Sequence, residues 1–382
     1  MKVCMVVPEF VPSMGKPPLY IARRLIKSGH EVTILTSDYD LADRKIRFKV
    51  NELESATTKR FWSFMAFKKI VTPSLIFKLL SINADVMYVD GFGHFSSGVA
   101  AFVGKLRGIP VVLRADWNGM PIIGKGLKGV YDRYVKFPTL TNSSKIFVFS
   151  KKQRELMAGY GINDGKIEVF PNGVDYDEFA SPARSNYLKS KFGIKDDCKV
   201  ILTVCRIMPG KNPELAIRAL AKVLKSNENI ASVIVGQKEN SIYYEHLVKL
   251  AEELGVQNNV FFMLEVNHKD MPKIYSSADV FFLTSRPIEG MNLSTIEAMC
   301  AGLPIVTTEV SVTPEIINEA KCGFVIKNEE DASEKISYLL ANESVMKRLG
   351  ENGKSFARAN LDWARLTERM EALMESETVR KG

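Results

Sequence analysis

Glu289 and Glu297 stand eight positions apart in SRPIEGMNLSTIEAMCAGLPIV, a spacing that sets two carboxylates at the mouth of one strand-loop-helix unit. The preceding run ADVFFLT is apolar enough for a buried strand, and Asn292 or Ser294 is placed to cap the helix that STIEAMC predicts. Glu297 is then expected in the first turn, where unpaired backbone N–H groups and the positive end of the dipole meet its charge. Such a setting suits ligand hydroxyls and phosphates. Gly290, beside Glu289, lets backbone approach a ligand closely.

A second group is cationic. TVCRIMPGKNPELAIRAL offers Arg206 at a strand end and Lys211 five residues later, where a helix opens. A planar guanidinium fork and a mobile ammonium together match two phosphate oxygens with different geometry. Ser285 and Arg286, just before the paired glutamates, are either further polar contacts or ordinary loop residues. In IPVVLRADWNG a strand ends near Asp116, whose carboxylate can accept a hydroxyl hydrogen bond or act as a base, while Trp117 can stack on a sugar face or a lipid. His94, in VDGFGHFSSG after Asp90, is the other polar candidate, against the commoner structural role of a lone histidine.

The elements that must position these residues alternate. VCMVV, HEVTILT, ADVMYVD, IPVVLRA and KIFVFS are separated by helical patterns, and VILTVCR, ASVIVG, NVFFM, DVFFLT, PIVTT and CGFVI repeat that logic. Alternation of this kind predicts parallel strands with crossover helices, an α/β doubly wound sheet in each half. With 382 residues, two domains are expected. The boundary is placed at FPNGVDYDEF: 1–173, then 174–360, with an amphipathic helix over 361–382 carrying Trp363, Leu366, Met370 and Leu373 on one stripe.

The Glu-x7-Glu spacing followed by Ala-Met-x-x-Gly-x-Pro resembles the signature of the retaining family-4 glycosyltransferases of the GT-B fold, and the likeness extends over nearly the whole chain. It implies two Rossmann-like domains facing across a cleft, with the last helix crossing back to the first domain. It implies that Glu289 touches the transferred sugar, that Glu297 holds the ribose hydroxyls, and that Arg206 and Lys211 clamp the diphosphate in place of a metal. The family usually carries two adjacent glycines in its first loop; here Met14-Gly15-Lys16 keeps only Gly15. Many relatives have histidine where this chain has Asp116. The implied activity is a retaining, metal-independent, hexosyltransferase-like transfer from a nucleoside diphosphate sugar to a sugar, lipid-linked or other acceptor, with no cofactor. A non-catalytic sugar-nucleotide-binding subunit, an epimerase or a phosphorylase on the same scaffold are the rivals.

Several remaining features set bounds. GKGLKG, 124–129, spells a dinucleotide loop but lacks the strand before it and the acidic residue after it, and is read as an acceptor-side loop. The five cysteines are scattered and predict reduced thiols; the four histidines are too dispersed for a metal site. No run of about 18 apolar residues predicts a membrane span, and MKVCMVVPEF reads as a strand, so a cytoplasmic protein is expected, with peripheral attachment at the inner membrane face as an addition. A net charge of +8 favours an anionic partner. Residues 59–80 interleave lysine and arginine with aromatics, the composition of either an interfacial surface helix on an anionic membrane or a core-packing helix. No nucleic-acid module accompanies them.

Overall fold

The computed structural model describes residues 1–12, 16–39, 53–66, 69–116, 126–226, 228–286 and 291–380. Glu289, Gly290, Gly15, Trp117 and Lys68 lie outside them, as does the start of the 124–129 loop. The chain forms two compact units, Met1–Asn172 with Trp363–Gly382, and Gly173–Asp362.

In the first unit the strands are β1 (Lys2–Val7), β2 (Glu31–Ser37), β3 (Thr57–Phe61), β4 (Phe64–Ala66), β5 (Lys69–Val71), β6 (Val86–Asp90), β7 (Val111–Arg114), β8 (Lys145–Val148) and β9 (Ile167–Val169). Seven of them form a sheet in the order β3-β2-β1-β6-β7-β8-β9, parallel throughout, while β4 and β5 make a separate antiparallel pair. β1, β6, β7 and β8 are buried along almost their whole length, which is why they read as continuous apolar runs rather than alternating ones. The order reverses between β1 and β6, the place where open α/β sheets bind ligands outside their carboxyl ends.

The segment 59–80 is not one helix. Residues Thr57–Phe61 are strand, Phe64–Ala66 and Lys69–Val71 pair as a ribbon, and only Leu75–Ser81 is helical. Pro73 holds Thr72 away from helical backbone and so sets where that last helix can begin.

The helix Trp363–Val379 belongs to the first unit and packs on helix Pro17–Lys27, with Trp363, Leu366, Met370 and Met374 buried. The stripe thus continues through Met374, and Leu373, expected on it, is only partly buried. The Tyr20 and Trp363 rings stack at 6.4 Å.

The second unit has β10 (Lys199–Val204), β11 (Ile230–Val235), β12 (Val260–Met263), β13 (Val280–Leu283), β14 (Ile305–Thr308) and β15 (Gly323–Ile326). Their order is β12-β11-β10-β13-β14-β15, again parallel, with the reversal between β10 and β13. These two parallel, helix-covered sheets are the expected doubly wound architecture. The strands that sequence reasoning missed, β3, β4, β5 and β9, are short or lie at a sheet edge, so little continuous apolar pattern announces them.

Candidate active site

At the reversal of the second sheet, β10 runs out through Cys205 to Arg206. Gly236, leaving β11, has φ +147°, and a Cβ there would stand 1.9 Å from the Cys205 carbonyl oxygen, so only glycine lets the two strand ends lie this close. Arg206 is exposed and donates from Nη1 to Glu239 Oε1 at 2.6 Å.

Lys211 closes a single 3₁₀ turn, Pro209–Lys211, and Asn212 follows in the left-handed region at φ 50°. Two bonds fasten this turn to the carboxyl end of β13. Thr284 Oγ1 donates to the Lys211 carbonyl at 2.8 Å, and the Arg286 N–H donates to the Gly210 carbonyl at 3.0 Å. Lys211 Nζ lies 3.4 Å from Asn292 Oδ1. Asn292 does occupy the cap position of helix Leu293–Cys300, yet its side chain makes no capping bond and faces Lys211 instead. Arg286 Nη2 stands 3.8 Å from Glu214, whose other oxygen is 3.1 Å from His246 Nε2.

Because the helix begins at Leu293, Glu297 is its fifth residue, just past the first turn and the free N–H groups beside which it was expected. It is 9% exposed, and Tyr275 Oη donates to its Oε2 at 2.6 Å. Burial pushes the Glu297 carboxyl up; the Tyr275 hydrogen bond and His268 pull it down, and Glu178 pushes it up again. Tyr275 packs edge-on against Phe179, which also meets the His268 ring, so the carboxylate has an aromatic wall. Sequence reasoning gave no role to Tyr275 or Thr284, neither of which belongs to a recognisable spacing, and read Asn292 only as one of two candidate helix caps.

The carboxyl edge of the first sheet carries a buried network. Arg114 Nη1 donates to Asp90 Oδ1 at 2.6 Å and Nη2 to Asn172 Oδ1 at 2.5 Å, while Tyr88 Oη donates to the same Asp90 oxygen at 3.1 Å. The guanidinium also lies 5.2 Å from the centre of the Phe149 ring. Asp116, two residues beyond Arg114, is exposed but crowded: desolvation pushes its carboxyl up, Arg114 pulls it down and Asp90 pushes it up. Asn172 was read only as punctuation; Arg114 could have been noticed as a charge closing an otherwise apolar strand.

His94 is the cap residue of helix Phe95–Arg107 and makes no side-chain capping bond. Its Nδ1 is buried without a hydrogen-bond partner, and burial, then Lys69, pushes the imidazole down to about 4, with Asp90 opposing. It is therefore neutral at pH 7. Lys69 donates to the Gly93 carbonyl, which also accepts from Tyr131 Oη at 3.2 Å. The sequence candidates thus divide: Arg206, Lys211 and Glu297 belong to the second unit, Asp116 and His94 to the first. Among the described residues no group of three or more His, Cys, Asp or Glu is placed to hold a metal ion, and no helix is long and apolar enough to cross a membrane.

Residues 19–178 match the family model described as Glycosyltransferase Family 4, and residues 186–356 match Glycosyl transferases group 1. Over 196 residues the chain is 31% identical to spore coat protein SA of Bacillus subtilis, a match that covers 49% of this chain and 51% of that one. It is 26% identical over 383 residues to an uncharacterized glycosyltransferase of Methanocaldococcus jannaschii, covering 95% of each. The crystal structure of Anabaena HepE in complex with UDP superposes with a TM-score of 0.77 at 17% identity, covering 98% of this chain and all of that one.

Proposed function

Since the chain is a glycosyltransferase of the GT-B fold, its halves matching family-4 and group-1 domains, we propose that it moves a sugar from a nucleoside diphosphate sugar to an acceptor, with retention at the anomeric carbon. One observation carries this reading. The turn bearing Lys211 is pinned to the end of β13 and points its ammonium at the cap of the helix that carries Glu297. A cation for phosphate and a carboxylate for hydroxyls are thereby fixed at the reversal of one parallel sheet. UDP bound to the HepE structure is consistent with such a ligand.

Arg206 and Lys211 supply the positive charge that a departing diphosphate needs, in the place a metal ion would otherwise fill. Glu297 takes ribose hydroxyls, and Tyr275 holds its carboxylate in one rotamer. Glu289, by its spacing, is assigned to the transferred sugar, with Gly290 allowing close backbone approach; Gly15 and Lys16 of the first loop are assigned to the phosphate side. In the transfer, the bond between the anomeric carbon and a phosphate oxygen breaks as the acceptor oxygen bonds to the same face. The acceptor proton passes to the departing phosphate, so Glu289 orients the sugar without bonding to it. Asp116 is assigned to an acceptor or sugar hydroxyl, Trp117 and His94 to the acceptor side, and a lipid-linked or other envelope glycan to the acceptor class.

Melting curves with UDP, GDP and ADP and their sugar conjugates test the donor site, since a ligand held by the native state raises the melting temperature. One base should give a clear rise that Lys211→Ala reduces. Release of nucleoside diphosphate only when acceptor is present, abolished by Glu289→Gln with the melting rise intact, identifies transfer. No rise with any nucleotide overturns the proposal, and a rise without turnover on any acceptor assigns the chain to the accessory class.

A further inference from the structure

Three side-chain groups between the carboxyl end of β13 and the first turn of helix Leu293–Cys300 are buried without a hydrogen-bond partner: Ser285 Oγ, Asn292 Nδ2 and Thr295 Oγ1. Ser285 is 1% exposed and Thr295 3%. Buried polar atoms are nearly always paired, so three orphans in one strand-to-helix connection call for a physical reason. Local packing supplies none. Thr308 Oγ1 of β14 donates to the Ser285 carbonyl at 2.6 Å, and the flanking Thr284 hydroxyl and Arg286 N–H are tied to the turn that bears Lys211. The segment is held by its neighbours, and the Ser285 hydroxyl takes no part in holding it.

Asn292 gives the chemistry of the missing partner. An ammonium can only donate, so the amide oxygen faces Lys211 Nζ, 3.4 Å away, and the NH2 group is turned elsewhere with hydrogens to give. The same orientation withholds that oxygen from the helix N–H groups a cap residue ordinarily accepts from. One short connection thus gathers an ammonium, an amide donor, two hydroxyls and uncapped helix N–H groups. Donors in excess of acceptors complement an oxyanion. Glu297 lies five residues further along the same helix, about 7.5 Å at 1.5 Å per residue. That span is of the order separating a ribose from the outer phosphate of its diphosphate.

We propose that Asn292 binds the outer phosphate of the donor: its amide oxygen fixes the Lys211 ammonium, and its NH2 group donates to a phosphate oxygen, with the Ser285 and Thr295 hydroxyls as further donors. Asn292 falls in an open position of the Glu-x7-Glu spacing, so that signature assigns it nothing. The inference rests on the donor site proposed above and names side chains that complete it. Neutral donors beside a single cation suit a leaving group. They stabilise the charge that develops as the sugar departs, and they hold the released diphosphate less tightly than further cations would.

The test is calorimetry on the full chain with UDP against UMP, GDP against GMP and ADP against AMP, read for the base to which the parent responds. Asn292→Ala should weaken the diphosphate by about tenfold or more, the worth of a hydrogen bond to a charged group, and leave the monophosphate unchanged. Asn292→Asp should weaken the diphosphate further, because a carboxylate there neutralises Lys211 and repels phosphate. Aspartate caps a helix as well as asparagine does, so the melting temperature of that variant without ligand should hold or rise. A purely structural role reverses the pattern: Asn292→Asp would then bind like the parent while Asn292→Ala lost melting temperature, and that result overturns the proposal. So do diphosphate affinities unchanged in both variants, or equal losses for mono- and diphosphate. A parent that responds to no nucleotide overturns the donor site and this inference together, which the other outcomes do not.

Discussion

At the carboxyl edge of the first sheet the charged groups are sunk and paired across long stretches of chain, Arg114 with Asp90 and with Asn172. At the same edge of the second sheet Arg206 is exposed and Lys211 half-buried, and short backbone turns hold them in place. A cation that keeps part of its hydration can exchange water for a ligand's phosphate at modest cost. One already stripped of water must keep its protein partner. The contrast suits the first edge to rigid framing and the second to the ligand charge proposed for it.

Arg114→Met tests the framing most severely. It should leave the Asp90 carboxylate without its cationic partner, with the Tyr88 hydroxyl still donating to it, and cost about 3 to 5 kcal/mol, read by urea unfolding; a loss below about 1 kcal/mol would place the first edge in the same class as the second. Lys211→Ala should leave unfolding nearly unchanged while weakening nucleotide affinity by about tenfold to a hundredfold, the worth of a hydrogen bond to a charged group, measured by calorimetry. Tyr275→Phe lies between these, since it strands a buried carboxylate oxygen; a cost of about 1 to 3 kcal/mol is expected, with the Glu297 carboxyl pushed further up.

His94 gives a pH signature. Its imidazole sits at about 4 in the folded chain, below the ordinary 6.5, so the unfolded chain binds the proton first as pH falls. The stabilisation is complete above pH 6.5 and declines toward pH 4, with a slope of at most about 1.4 kcal/mol per pH unit. Comparing parent with His94→Asn isolates that slope from Glu297 and Asp116, whose raised carboxyls act in the opposite sense. The smallest effect belongs to Glu239→Gln, which removes an exposed ion-pair partner of Arg206. Stability should change by less than about 1 kcal/mol, and nucleotide affinity should hold or rise.

The same contrast explains what could be read from residue order alone. Arg206, Lys211, Glu289 and Glu297 fall within two short runs whose spacing is itself the signal, and the strands around them are continuous apolar runs. The Arg114 network joins positions 24 and 58 residues apart, a proximity that exists only once β6, β7 and the end of the first unit are in register. The depth of Glu297 was missed for a local reason: of the two candidate caps it is Asn292 and not Ser294 that takes the position, so the helix starts two residues earlier and the carboxylate falls past the first turn. Composition flagged residues 59–80, but Pro73 and the β4–β5 ribbon break that segment.

Trp363, Leu366, Met370 and Met374 complete the core of a unit whose remaining buried core residues all precede position 173. On the ribosome, the sheet of that unit emerges long before the helix that covers it. At about 5 to 20 residues per second, the intervening segment takes about 10 to 40 s to synthesise. Throughout that interval the nascent chain presents an unroofed apolar surface beside helix Pro17–Lys27, a natural target for chaperones, and a truncation before Trp363 would make that exposure permanent.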